Sequence, residues 1–264
     1  MGALAKTRQA RIGVRQMMNL PALAISGLNK HFGGLPATRD VSLFVAKGER
    51  RLIIGPNGAG KTTLFNQITG DLTPDSGSIR LFDNELVRLP TYARVRLGLA
   101  RTYQILTLFP HDTLLHNVIL SLLGQSVTKW DPWRALGGFS ELRDRAHAVL
   151  RQVGLAGRAH DLVRETAYGE RRRLELAMAL AQDPKLLLLD EPLAGLSQPE
   201  RKSVRELLET IPSDVTIVMI EHDMDVALAF AERITVLHFG SVALEGTRAE
   251  VVADPRTKEI YLGK

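Results

Sequence analysis

The chain has 264 residues, 45% of them hydrophobic, with 34 basic against 29 acidic side chains and a formal net charge of +5. That length and apolar content bury a sizeable core, in one large α/β domain or two small ones, and exclude a disordered chain. With no cysteine, neither a disulfide framework nor a thiolate metal site is possible; no apolar run approaches the roughly 20 residues that span a bilayer, so any membrane role comes through a partner.

Residues 1–20 carry Lys6, Arg8, Arg11 and Arg15 with no continuous apolar stretch of the secretory kind, and read as a disordered basic arm. The paired Met17-Met18 leaves room for a later start. Leu23-Ala24-Ile25 and the alternating Val41-Ser42-Leu43-Phe44-Val45 predict strands separated by the Gly33-Gly34 turn, an antiparallel β part. The apolar run Leu52-Ile53-Ile54 then leads into Gly55-Pro56-Asn57-Gly58-Ala59-Gly60-Lys61-Thr62-Thr63 and a helical stretch from Leu64. This loop fits G-x-x-x-x-G-K-[ST], the phosphate-binding P-loop. Its glycines let backbone N–H groups converge on an anion, and the following helix N-terminus adds a positive dipole end. Lys61 is expected on the β- and γ-phosphates of a nucleotide, and the Thr62 hydroxyl on Mg²⁺.

After that helix, Pro74-Asp75-Ser76-Gly77 marks a turn and Ser78 to Phe82 a short strand. From Thr91 to about Val163 helical patterns dominate, over Tyr92 to Leu97, Thr113 to Leu123 and Leu142 to Val153. The block has the look of a helical insertion in an α/β domain. Trp130 and Trp133, around Asp131-Pro132, fall in its loopiest part and read as an internal cap or a partner-facing pair. A helix from Gly169 to Gln182 follows, its Arg171, Arg172 and Arg173 expected largely on a solvated face. The unbroken strand Leu186 to Leu189 ends in Asp190, at the C-terminal end where α/β sheets hold ligands. Asp190 has the position and type of a Walker B aspartate for Mg²⁺, and Glu191 beside it suits a base for an attacking water. A further pass runs through a helix from Pro199 to Ile211 and a strand from Val215 to Ile220 to Glu221-His222-Asp223; two short strands and a helical tail over residues 247–264 complete the chain. No internal repeat or low-complexity run is present.

From Leu23 to Gly263 these motifs resemble the ATP-binding subunits of ABC transporters. The resemblance implies an α/β P-loop NTPase, a RecA-like parallel core with an N-terminal antiparallel β part. Residues 21–264 form one ABC ATPase domain, with residues 91–170 inserted as a helical signature subdomain. It also implies roles. Gln104, in Arg101-Thr102-Tyr103-Gln104, is similar to the Q-loop glutamine that reaches metal and attacking water; His222 stands at the switch histidine, and Phe32 resembles the aromatic that stacks on adenine. Ala167-Tyr168-Gly169-Glu170 is similar to the ABC signature, which closes over ATP held by the opposite subunit. Ala194-Gly195-Leu196-Ser197 stands at the D-loop.

The signature departs from its usual form because Ala167 has no hydroxyl for the γ-phosphate, and the D-loop ends in Ser197 in place of Asp. Tyr168, Phe32-Gly33-Gly34-Leu35, Glu221-His222-Asp223-Met224 and the ending Tyr261-Leu262-Gly263 narrow the resemblance to branched-chain amino acid importer ATPases. Urea and amide importers and the lipopolysaccharide-export ATPase stay open. The implied cofactors are ATP and Mg²⁺. The implied partners are transmembrane permease subunits, a second identical or related ATPase and, indirectly, a periplasmic or extracellular binding protein, at the cytoplasmic face of the plasma membrane. A soluble nucleic-acid-associated ABC ATPase is the alternative of a different class; the short stretch from Lys61 to Ala167, without sustained heptads, speaks against its coiled-coil forms, and no nucleic acid is expected.

Overall fold

A computed structural model describes residues 20–103, 108–125, 132–221 and 229–262. Alternating apolar residues make the first strands. β1 (Leu23–Phe32) and β2 (Leu35–Val45) bury Leu23, Ile25, Val41, Leu43 and Val45, and the Gly33-Gly34 turn closes them into an antiparallel pair with Phe32 opposite Leu35. Three further strands precede or follow the P-loop: β3 (Arg50–Ile54), β4 (Ser76–Leu81) and the two-residue β5 (Asn84–Glu85). An antiparallel sheet takes the order β2-β1-β4-β5.

The second sheet adds β6 (Leu99–Thr102), β7 (Leu186–Asp190), β8 (Thr216–Ile220), β9 (Arg233–His238) and β10 (Ser241–Thr247) to β3. Its order is β10-β9-β3-β8-β7-β6. All its pairings are parallel except β9 with β10. Both faces of the central strands are covered, so the strands are apolar at nearly every position. Leu52, Ile54, Leu187, Leu189, Ile217, Met219, Ile234 and Val236 fill the core on one face, and Ile53, Leu186, Leu188, Val218, Ile220 and Leu237 fill it on the other. Thr235 interrupts the pattern because its hydroxyl accepts a 2.8 Å hydrogen bond from the buried Arg51, whose charge is met by Glu49 and by Glu245 at 3.1 Å.

The helices divide between the two faces. α1 (Lys61–Thr69) packs Leu64, Phe65 and Ile68 into the core that also holds the antiparallel sheet. The short α2 (Thr91–Arg96) carries Arg94, 2% exposed, whose Nη1 donates to the Gln67 and Ile68 carbonyls at 2.8 Å each. A cation there satisfies the end of α1 and its dipole. On the opposite face lie α3 (Leu114–Gln125), α4 (Pro132–Gln152), α5 (Tyr168–Leu180) and α6 (Gln198–Glu209). The tail forms α7 (Arg248–Ala253) and α8 (Pro255–Leu262).

Two expectations need correction. The stretch read as a helical block from Thr91 contains β6, which pairs with β7 as the edge of the parallel sheet; four residues are too few to show a strand period beside helical neighbours. Pro132 and Trp133, read as falling in the loopiest part, open α4, because a proline at the first helical position loses no hydrogen bond and already has a helical φ. Trp133 therefore lies in that helix, while Trp130, Asp131 and the arm over residues 1–19 lie outside the described residues.

Candidate functional site

The site begins where β3 ends. Gly60 caps α1 with φ of 98°, and a β-carbon on it would collide with the Ala37 carbonyl; one on Gly55 would strike the Leu237 carbonyl. Glycine is needed at both because two strand segments pass directly behind the loop. The loop is strapped to them, as the Gly240 N–H donates to the Ala59 carbonyl at 3.1 Å and the Arg39 N–H to Gly240 at 2.7 Å. Pro56, Asn57 and Gly58 form the outer rim, with Asn57 and Gly58 exposed, while Thr62 and Thr63 sit in the first turn of α1. Lys61 is 7% exposed and curls back, its Nζ donating to the carbonyls of Gly55 at 2.7 Å and Pro56 at 3.1 Å. Burial lowers its pKa, and the nearby charges of Glu191 and Asp190 work in the opposite direction.

Asp190 and Glu191 come from the C-terminal end of β7, with β8 lying between that strand and β3. Asp190 is 1% exposed. Its Oδ2 accepts from Arg101 Nη2 at 2.7 Å, whereas its Oδ1 is buried without a hydrogen-bond partner among the described residues. Arg101, on β6, also donates to Asn66 Oδ1 of α1 at 2.7 Å, so one buried guanidinium joins the Walker B carboxylate to the P-loop helix. Glu191 holds φ at 49°, a left-handed conformation uncommon for a side chain of this size. The surroundings enforce it. Its N–H donates to the Ile220 carbonyl at 2.9 Å, and its carbonyl accepts from Ala194 at 3.1 Å. Strain held by neighbouring backbone is a mark of functional positions. Buried Glu221, at the end of β8, fixes the same turn by accepting from the Leu193 N–H at 2.8 Å.

Ala167, Tyr168, Gly169 and Glu170 form the N-terminus of α5. Glu170 is engaged within the chain: it accepts from the Ala167 N–H at 2.9 Å, and both its oxygens accept from Arg158 Nη1, at 2.9 and 3.0 Å. This is half of a capping box, because Ala167 has no oxygen to return. Tyr168 is 43% exposed and leans on its own D-loop, its hydroxyl 3.4 Å from the Ala194 carbonyl. Glu200 of α6 bonds the Gly169 backbone and accepts from Ser197, through the N–H at 2.9 Å and the hydroxyl at 2.5 Å. Both departures from the usual motif are thus absorbed into local capping. Ala167→Ser is expected to complete the box and raise unfolding stability by about 1 kcal/mol; an unchanged denaturation midpoint would show that the added hydroxyl reaches no amide.

The arginine face of α5 is only partly solvated, in contrast to the expectation: Arg172 is buried, and Arg171 and Arg173 are half-buried. Arg171 donates to the Thr166 and Arg164 carbonyls, Arg173 to the Val153 carbonyl, and Arg172 is 4% exposed. Guanidinium groups of this face thus satisfy backbone carbonyls of neighbouring segments. Phe32 is 53% exposed at the hairpin tip. Gln104 and His222 lie outside the described residues, although their neighbours Tyr103 and Glu221 are placed. The structure therefore brings together Lys61, Asp190 and Glu191. Arg101 and Glu221 also belong to the site, although the sequence motifs that contain them assign them no role. A charged residue inside the apolar run Leu99-Ala100-Arg101-Thr102 was the available signal for Arg101.

Comparison with known proteins accords with this geometry. The family described as ABC transporter matches residues 38–194. The chain is 38% identical over 256 residues to the high-affinity branched-chain amino acid transport ATP-binding protein LivG of Salmonella typhimurium, covering 94% of this chain and 100% of the relative. A nucleotide-free ATP-binding cassette from an ABC transporter superposes with a TM-score of 0.82 at 28% identity, over 92% of this chain and 100% of that one. The dimeric bacterial ABC transporter cassette MJ0796 does so at 0.75 and 26% identity, over 86% and 98%.

Proposed function

We propose that this chain, which belongs to the ABC transporter family and is an ATP-hydrolysing transport cassette, powers the import of branched-chain amino acids. The observation that carries the reading is the end-to-end match to LivG, which spans the whole of that relative. The P-loop, the Asp190-Glu191 pair and the altered signature occupy one continuous fold along that match. Urea or amide import and lipopolysaccharide export remain the neighbouring readings.

In this reading ATP is cradled by the amides from Gly55 to Thr63, with Lys61 swinging from the Gly55 and Pro56 carbonyls to the phosphates and Phe32 flanking the base. Mg²⁺ fits the residues present: Asp190 offers a buried oxygen with no other partner, and an anionic oxygen donor is what this hard cation takes. Thr62, Asp190 and Gln104 would hold it, and it would neutralise developing phosphate charge. Glu191 orients or deprotonates the attacking water, and His222 assists at the γ-phosphate. The signature from Ala167 to Glu170 closes the site of a second, identical or related, subunit.

Transmembrane permease subunits receive the motion at the cytoplasmic face of the membrane, and a binding protein outside delivers solute to them. No helix among the described residues is long and apolar enough to cross a membrane. The test is ATP turnover by the chain together with the membrane subunits it retains in mild detergent. Turnover is expected to rise several-fold with leucine-loaded binding protein and to stay flat with urea. Equal stimulation by urea, or stimulation by duplex DNA without any co-purifying permease, would overturn the reading.

A further inference from the structure

The signature helix and the Walker B strand end are joined by a buried polar clamp. Arg172 and Glu175, one turn apart on α5, form an ion pair at 2.9 Å with side chains 3% and 7% exposed. Both also hold the backbone of Tyr103, the residue after β6. The Tyr103 N–H donates to Glu175 Oε1 at 3.2 Å, and the Tyr103 carbonyl accepts from Arg172 Nη1 at 2.9 Å. A residue whose N–H and carbonyl are both held by one pair has little freedom to turn.

The clamp lies inside a longer chain of contacts. At one end the Arg172 guanidinium lies over the ring of the signature residue Tyr168, 5.8 Å from its centroid. At the other, Arg101 lies over the Tyr103 ring at 4.6 Å and bonds Asp190 at 2.7 Å. The Tyr103 hydroxyl reaches Asp71 at 3.2 Å, and the Thr102 hydroxyl stands 3.4 Å from the Asp190 N–H. A buried pair of this kind is costly to desolvate and gives little net stability; burial indeed raises the Glu175 pKa, against the opposing pull of Arg172. Packing alone would be served as well by two apolar side chains. What apolar side chains could not do is hold both the N–H and the carbonyl of Tyr103.

We propose that Arg172 and Glu175 are positioning residues that lock the Tyr103 peptide to the signature helix, and through Arg101 set Asp190 for hydrolysis. The clamp thereby ties the start of α5, which in the proposed dimer closes over the partner's nucleotide, to the carboxylate that serves the chain's own nucleotide. That consequence rests on the proposed function, whereas the clamp itself does not.

The test uses the full-length chain and the double substitution Arg172→Met/Glu175→Leu, which removes both charges together and so avoids an unpaired buried ion. Three results are expected of it. The melting temperature stays within about 5 °C of the parent. Hydrogen exchange at the Tyr103 amide becomes at least about tenfold faster, as its N–H loses the Glu175 acceptor. ATP turnover falls at least about fivefold in kcat while KM changes less than about twofold, the pattern of a group that acts after binding.

A folded double variant with parent-like exchange and parent-like kcat would overturn the proposal, since the pair would then serve packing only. Should that variant fail to fold, Arg172→Lys is read in the same two ways. It keeps a charge opposite Glu175 but lacks the planar fork that reaches carboxylate and carbonyl together. An absence of ATP turnover in the parent chain would count against the proposed function, while exchange at Tyr103 still decides the clamp.

Discussion

Glu191→Gln is expected to leave ATP binding intact and to slow hydrolysis by at least about 10²-fold, the usual loss when a positioned base is removed. The structure makes the substitution clean. Glutamine has the same length and the same backbone, so the left-handed φ of 49° and the bonds to Ile220 and Ala194 are kept. What changes is the ability to take a proton. Equilibrium titration with nucleotide and single-turnover hydrolysis separate the two steps, and near-normal turnover would remove Glu191 from the role of base. The strain at this position is held by the two backbone bonds, to Ile220 and from Ala194, which fix where the side chain leaves the main chain.

Lys61→Ala is the second large effect, and it falls on binding. The ammonium group is buried and makes two bonds to loop carbonyls that a phosphate would replace. Charge-assisted contacts of this kind are worth about 1.5–3 kcal/mol each, so losing those to two phosphates weakens ATP binding by about 10²-fold or more. The fold is expected to survive, because removing a buried charge that burial already disfavours relieves a desolvation cost. A nucleotide titration giving unchanged affinity, with the melting temperature also unchanged, would refute the assignment of this lysine to the phosphates. Together the two variants split the site into a part that holds nucleotide and a part that acts on it.

The P-loop and Walker B residues were legible in the sequence because each is a contiguous pattern whose chemistry requires those residue types in that order. Gly55 to Thr63 needs glycine where other backbone passes close behind, and Asp190 needs an apolar strand to carry it to the sheet edge. The Leu186 to Leu189 run likewise announced a strand covered on both faces, which the alternation of its side chains between two cores bears out. The family reading followed from the same motifs and is met by the match over residues 38–194.

Other features depend on contacts distant along the chain, and local pattern carries no trace of them. β6 is a strand only because Leu99 to Thr102 lie alongside Leu186 to Leu189, and its four residues are too few to reveal a period. Arg171, Arg172 and Arg173 have the composition of a solvated face, yet they bond carbonyls at Thr166, Tyr103 and Val153. Glu170 and Ser197 match motif positions while serving Ala167, Arg158 and Glu200 of the same chain.

By itself the sequence determined the nucleotide chemistry, since backbone-coded phosphate binding and a strand-end carboxylate are local properties. Only the tertiary structure decided how the parts are joined, through Arg101 on Asp190, Glu221 on the turn after it, and the Arg172–Glu175 clamp on Tyr103. The reason is physical: a buried charge must find its partners wherever the fold brings donors and acceptors within about 3 Å, and sequence spacing does not say where that will be.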